Sequence, residues 1–147
     1  MSQSPSIRRA TVADAAAVDL LIREFYAIDQ HSYDPDLVRR ALTPLLLDDT
    51  FGVVLLATDP DPVGYAVVCW SYSLESGGRD CCLDEIYVRD RGRGLGAMLL
   101  TAAFDAGRAA GALRLFLETE ARNQRVRGFY ARHGPRADDS IWMSREL

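Results

Sequence analysis

The chain has no lysine; every cation among its 147 residues is an arginine. A phosphate-binding P-loop of the GxxxxGK[ST] type is therefore excluded, because that loop uses its lysine to reach the β- and γ-phosphates. A protein of this composition that modified amines would also offer no lysine target of its own. Histidine occurs only at His31 and His133, which excludes a histidine-rich metal site, and no metal is expected. The three cysteines, Cys69, Cys81 and Cys82, form an odd set without C-x-x-C spacing. That set argues against a disulfide scaffold or zinc site and fits a reducing, cytoplasmic setting. No apolar run approaches the roughly 20 residues that cross a bilayer, and no secretory signal pattern opens the chain, so no membrane partner is expected. A formal net charge of -4 leaves no basic footprint for nucleic acid.

What is present is a core. With 48% hydrophobic residues, the length fits one domain spanning 1–147, with residues 1–5 as a polar, disordered lead-in. "IRRAT" reads as a first strand. Thr11 with Asp14 three residues on has capping-box spacing, and Val18, Leu21, Ile22, Phe25 and Ile28 recur at helical spacing, so residues 12–29 are expected to form an amphipathic helix. A second helix is expected over 35–47, with Pro44 kinking or ending it. "FGVVLLAT" (51–58), "GYAVVCWSYSL" (64–74) and "DCCLDEIYV" (80–88) are strands separated by "DPDPVG" and "ESGGR", hence a three-strand antiparallel run. A helix over 95–110, a strand at 112–119, a helix over 122–133 and a last strand, "SIWMSREL", complete the order β-α-α-β-β-β-α-β-α-β. The fold class is α/β, built on a mixed sheet.

The segment "RDRGRGLGAM" (89–98) concentrates glycine where the strand at 80–88 passes to the helix at 95–110. A helix N-terminus presents unpaired N–H groups and partial positive charge, and phosphates bind there. Glycine lets the backbone approach an anion closely and adopt positive φ. Arg91 and Arg93 add charge, so this turn is a candidate diphosphate cradle. It lacks the G-x-G-x-x-G spacing of a dinucleotide fold, and the strand before it ends an antiparallel run; a dinucleotide-dependent oxidoreductase is disfavoured.

Two motifs carry a family resemblance. "VRDRGRGLGAMLL" resembles motif A of the GCN5-related N-acetyltransferases (GNAT), [QR]-x-x-G-x-[GA], with Arg91, Gly94 and Gly96 in register. "NQRVRGFYARHG" (123–134) is similar to the family's second signature, an Asn followed by an [FL]-Y pair, matched by Asn123, Phe129 and Tyr130. The order of elements agrees as well, so the resemblance covers nearly the whole chain. The turn between Val88 and Arg91 is shorter than is usual in the family, and Pro135 replaces the usual aromatic after Gly134.

The resemblance implies a GNAT-like acyl-CoA N-acyltransferase fold, acetyl-CoA as co-substrate, and direct transfer to a primary amine of a small molecule or a peptide N-terminus. It implies that Arg91, Gly92, Arg93, Gly94, Leu95, Gly96 and Ala97 hold the pyrophosphate. Ile86, Tyr87 and Val88 would offer backbone groups to the pantetheine arm, with Asn123 and Tyr130 also on the donor side. Tyr130 would be the acid that protonates the departing thiolate. Asp84 and Glu85 are both candidate bases. As adjacent strand residues they are expected to face opposite sides of the sheet, and Asp84 matches the catalytic acid of diamine-acetylating relatives. Tyr26 and His31 on one wall, with Tyr72 and Glu75 on the other, would receive the acceptor. The family also makes a homodimer an option. The alternative on the same fold is a non-catalytic acyl-CoA-binding sensor or partner protein.

Overall fold

Thr11 opens the helical layer: its N–H donates to the Asp14 carboxylate at 2.8 Å, as the capping-box spacing predicts. A single 3-10 turn, Val12–Asp14, leads into helix α1, Ala15–Ile28. The computed structural model describes residues 3–147, so Met1 and Ser2 of the expected disordered lead-in lie outside the described residues. Two compact units are present, one ending at Leu117 and the other Glu118–Leu147.

The first unit holds strand β1 (Ser6–Arg9), α1, α2 (Pro35–Leu47), β2 (Gly52–Thr58), β3 (Pro62–Ser73), β4 (Gly78–Val88), α3 (Leu95–Ala109) and β5 (Leu115–Phe116). The strands form one sheet in the order β1-β2-β3-β4-β5. The first four pair antiparallel, as expected, and β4 pairs β5 in parallel. Val18, Leu21 and Ile22 of α1 and Val38, Leu42 and Leu46 of α2 pack on Val54, Leu56, Tyr65 and Val67 of the sheet. Helix α3 packs across β2, β3 and β4, burying Leu95, Leu99, Leu100 and Ala103. Burial of side chains of this size contributes about 1.5–3 kcal/mol each, so the helices are held by packing on the sheet rather than by propensity.

Of the two effects expected of Pro44, an end to α2 at that point is not seen: the helix runs on to Leu47, the end expected from the sequence. Lacking an N–H, Pro44 removes one helical bond, that to the Arg40 carbonyl. The strand expected at 112–119 shrinks to Leu115–Phe116. Its pairing with β4 starts from Leu113 N–H to Arg79 C=O (2.8 Å) and Cys81 N–H to Arg114 C=O (2.9 Å), and the ladder ends at Cys82↔Phe116. "SIWMSREL" forms no strand. The second unit contains helix α4, Gln124–Arg132, and offers no strand of its own for that segment to pair with, so Ile141, Trp142 and Met143 stay exposed. Among the described residues no helix is long and apolar enough to cross a membrane.

Gly64 fixes how closely β3 and β4 approach. A Cβ there would lie 2.7 Å from the Tyr87 carbonyl oxygen and 2.8 Å from Val88 Cγ1. Gly64→Ala is therefore expected to destabilise the fold by about 1–3 kcal/mol, the usual cost of overpacking. Urea unfolding checks this; an unchanged midpoint would mean the two strands separate at no cost.

Candidate active site

Strand β4 loses its β5 partner after Cys82, while β3 stays paired to it as far as Gly64↔Val88. The direction of the unpaired groups follows from the ladder. Arg89 N–H donates to Val63 C=O at 2.9 Å. Antiparallel pairs alternate, so Tyr87 also turns its N–H and C=O to β3, and Ile86 and Val88 turn theirs to the side where β5 has ended. Of the three residues expected to meet an extended ligand by their backbone, Ile86 and Val88 are the two turned away from β3. Tyr87 is not: its backbone serves β3, its ring stacks on Phe25 at 5.6 Å, and its hydroxyl reaches Glu24 at 3.3 Å. Glu24 in turn accepts from Arg89 at 2.8–3.2 Å, tying α1 to the end of β4.

The glycine turn follows. Gly92 and Gly94 have φ of +85° and +78°, a region that favours glycine, and a Cβ at either would meet nothing within 4 Å. Gly94 caps α3, whose first helical bond runs from Met98 N–H to Gly94 C=O at 3.0 Å. The N–H groups of Leu95, Gly96 and Ala97 precede that bond and have no partner within the helix. With the helix dipole, such free N–H groups favour an anion, and they lie where the sequence reading put its cradle. The two arginines differ. Arg93 is engaged by Asp59 and lies 3.9 Å from Asp90, so much of its charge is already balanced. Arg91 is exposed and makes no salt bridge among the described residues.

A β-bulge changes the reading of the acidic pair. Val67 pairs with Glu85 and Val68 with Leu83, which leaves Asp84 as the extra residue of β4. Strict alternation therefore fails at this point and no longer decides which way Asp84 and Glu85 face. Both carboxylates act on the same neighbours: each raises the pKa of the Tyr26, Tyr65 and Cys69 side chains by its charge. Glu85 accepts from the Tyr26 hydroxyl at 2.5 Å through Oε2 and from the Tyr65 hydroxyl at 2.7 Å through Oε1. Burial pushes the Glu85 carboxyl above its ordinary range; the two phenol donors pull it back in part, Asp84 pushes it further up, and His31 pulls it down. Burial also raises Asp84, although it is the more open to solvent of the two. The Cys69 thiol is pushed up to about 11, chiefly by burial, so it is a poor nucleophile at neutral pH.

Around Glu85 the end of α1 and the following turn supply an aromatic wall. The His31 ring lies 4.7 Å from that of Tyr26, and the Tyr33 ring 6.4 Å from it. Tyr33 donates to Asp19 at 2.5 Å, with the Arg23 guanidinium 5.0 Å from its ring centre. Tyr26 and His31 thus stand together beside Glu85. Tyr72 and Glu75 do not join them: both are exposed at the far end of the β3–β4 hairpin. Tyr72 lies five residues along β3 from the Glu85 row, about 17 Å at strand spacing. Sequence reading missed Tyr65 altogether. A tyrosine in the apolar run "GYAVVC" reads as core, and only the pairing of β3 with β4, which sets Tyr65 opposite Tyr87 and Val67 opposite Glu85, shows that its hydroxyl meets Glu85.

In the second unit, Asn123 caps α4, its Oδ1 accepting from Val126 N–H at 3.2 Å. Tyr130 is buried, its ring 5.3 Å from that of Phe129, and burial raises its phenol pKa. It is therefore protonated at neutral pH and able to act as an acid.

The model of the acetyltransferase (GNAT) family matches residues 15–134. The uncharacterized N-acetyltransferase YhfO of Bacillus subtilis (strain 168) is 32% identical over 141 residues, covering 90% of this chain and 91% of its own. Among solved structures, one from Arthrobacter sp. FB24, assigned as an acetyltransferase, superposes with a TM-score of 0.85 at 31% identity, covering 100% of this chain and 99% of its own. An integron cassette protein from the mobile metagenome of Cole Harbour Salt Marsh reaches a TM-score of 0.86 at 28% identity, covering 96% of this chain and 90% of its own.

Proposed function

The chain belongs to the acetyltransferase (GNAT) family, and we propose that it moves an acetyl group from acetyl-CoA directly to a primary amine of a small molecule or a peptide N-terminus. The observation that carries the donor half is the coincidence of two unsatisfied backbone surfaces at one strand end. Ile86 and Val88 face an open slot beside β4, and a few residues on, the amides of Leu95, Gly96 and Ala97 point out of the α3 terminus. An extended amide-bearing arm joined to a diphosphate is the ligand shape that satisfies both. Arg91 supplies the unbalanced positive charge at its phosphate end.

The chemistry then assigns roles. The amine nitrogen attacks the thioester carbonyl carbon, a C–N bond forms, the C–S bond breaks, and the Val88 N–H stabilises the oxygen as it gains charge. The ammonium form of the acceptor must first lose a proton. Glu85 takes it, directly or through water, with Asp84 beside it adding negative charge that attracts a cationic acceptor. Tyr26 and His31 form the acceptor wall. Tyr130 returns a proton to the thiolate, a role that rests on the family motif and on its protonated state.

Thermal unfolding with acetyl-CoA, CoA, NADPH and ATP at equal concentration tests the donor site. At 100 times its Kd a ligand stabilises the fold by about 2.7 kcal/mol. The expected result is a rise in Tm with acetyl-CoA and CoA alone, followed by thiol release in the presence of an amine panel. No shift with either CoA species would refute the reading. A shift without turnover on any amine would leave an acyl-CoA-binding protein that is not an enzyme.

A further inference from the structure

Resting on the catalytic reading above, we propose that Tyr65 is a positioning residue for the reaction: buried beneath α1, it donates its phenol hydrogen to Glu85 and holds that carboxylate oriented and charged without touching the acceptor itself. Tyr65 is 0% exposed, so no substrate reaches it. It lies on the sheet face packed by Val18, Leu21 and Ile22, where a phenylalanine would fill the same space. The hydroxyl is what distinguishes the residue, and a buried hydroxyl needs a partner. The structure gives it Glu85 Oε1 at 2.7 Å.

Tyr26 occupies the other oxygen, but its situation differs. It is only half-buried and its ring borders His31 on the acceptor wall. Tyr26 can therefore meet the substrate while Tyr65 cannot. Two O–H donors on one carboxylate favour its ionised form. That matters here because burial and the neighbouring Asp84 charge both push Glu85 towards protonation, and a protonated Glu85 takes no proton from the amine. The titratable groups acting with Tyr65 around Glu85 are Tyr26, Asp84, Cys69 and His31, and of these His31 favours the carboxylate by its charge.

The test is Tyr65→Phe, which keeps the ring. The Glu85 carboxyl carbon is titrated by 13C NMR in wild type and variant, and both titrations are repeated in a His31→Asn background to remove the imidazole from the pH response. Loss of one hydrogen bond to the charged form is expected to raise the Glu85 midpoint by about one pH unit or more. The acid limb of the kcat/KM profile should move by the same amount, giving about tenfold lower activity below the limb and near-full activity above it. An unmoved midpoint overturns the proposal, as does an activity loss equal at all pH values. In a Glu85→Gln background, Tyr65→Phe is expected to cost nothing more in kcat, and an additional loss would also overturn it. If wild type binds acetyl-CoA but acetylates no amine, the catalytic reading fails, while the NMR midpoint still reports whether Tyr65 controls the charge of Glu85.

Discussion

Glu85→Gln is expected to lower kcat by about 10²- to 10⁴-fold, the range that a positioned general base supplies, with the thermal shift produced by acetyl-CoA unchanged. The substitution keeps the side chain's size and its ability to accept one phenol hydrogen bond, so Tyr26 or Tyr65 still finds a partner. What is lost is the capacity to hold a proton. Asp84→Asn is the necessary comparison. Asp84 is the extra residue of the bulge and no phenol donates to it, so its removal is expected to weaken acceptor binding and raise KM with a smaller effect on kcat. Steady-state kinetics on one amine, with Tm shifts by acetyl-CoA alongside, separate the two. A larger kcat loss for Asp84→Asn than for Glu85→Gln would transfer the base to Asp84. The pH response has a definite sign. Because burial raises Glu85 above the ordinary carboxylate range, wild-type activity falls as pH drops through that raised value and is restored above it.

Sequence reading leaned to Asp84 as the base, and the structure adds what that reading lacked: a bulge at Asp84 and two phenol donors on Glu85. Period-2 alternation separates neighbours on a strand, and nothing in "CLDEIYV" signals that one residue is inserted into the ladder. Tyr65 was hidden for a different reason: its meaning depends on Glu85, two rows away on the facing strand of the regular β3–β4 ladder, rather than on its own neighbours in sequence. Local rules did well where local forces decide. Thr11 and Asp14 made their cap, the apolar stripes of α1 and α2 faced the sheet, and the three strands of 51–88 paired as read. They failed where a partner decides. "ALRLFLET" has strand composition throughout, but only Leu115 and Phe116 have a strand beside them. "SIWMSREL" has strand composition and no partner in its own unit. The shortness of β5 is also what opens Ile86 and Val88, so the error in the strand boundary and the donor slot have one cause.

Gly94→Val is expected to raise the Kd for acetyl-CoA by about 100-fold. Gly94 sits at φ +78°, where an L-residue pays roughly 1–2 kcal/mol and a β-branched one more. No neighbour lies within 4 Å of its missing Cβ, so the folded chain does not clash with the new side chain. The backbone relieves its strain by leaving the left-handed region, and that movement turns the amides of Leu95, Gly96 and Ala97 out of the convergence that the α3 terminus now provides. Each hydrogen bond to a charged phosphate oxygen contributes about 1.5–3 kcal/mol. Losing one, together with the part of the strain that binding must restore, accounts for two orders of magnitude. Isothermal titration with CoA measures the affinity, and urea unfolding of the ligand-free protein measures the strain separately. Gly77→Val supplies the control. Gly77 has φ +85° and equally open surroundings, but lies in the β3–β4 turn, at the opposite end of β4 from the glycine turn that opens α3. It should show the same stability loss with CoA affinity unchanged. Equal affinities for the wild type and Gly94→Val would remove the α3 terminus from the donor site and leave the open edge of β4 as its sole support.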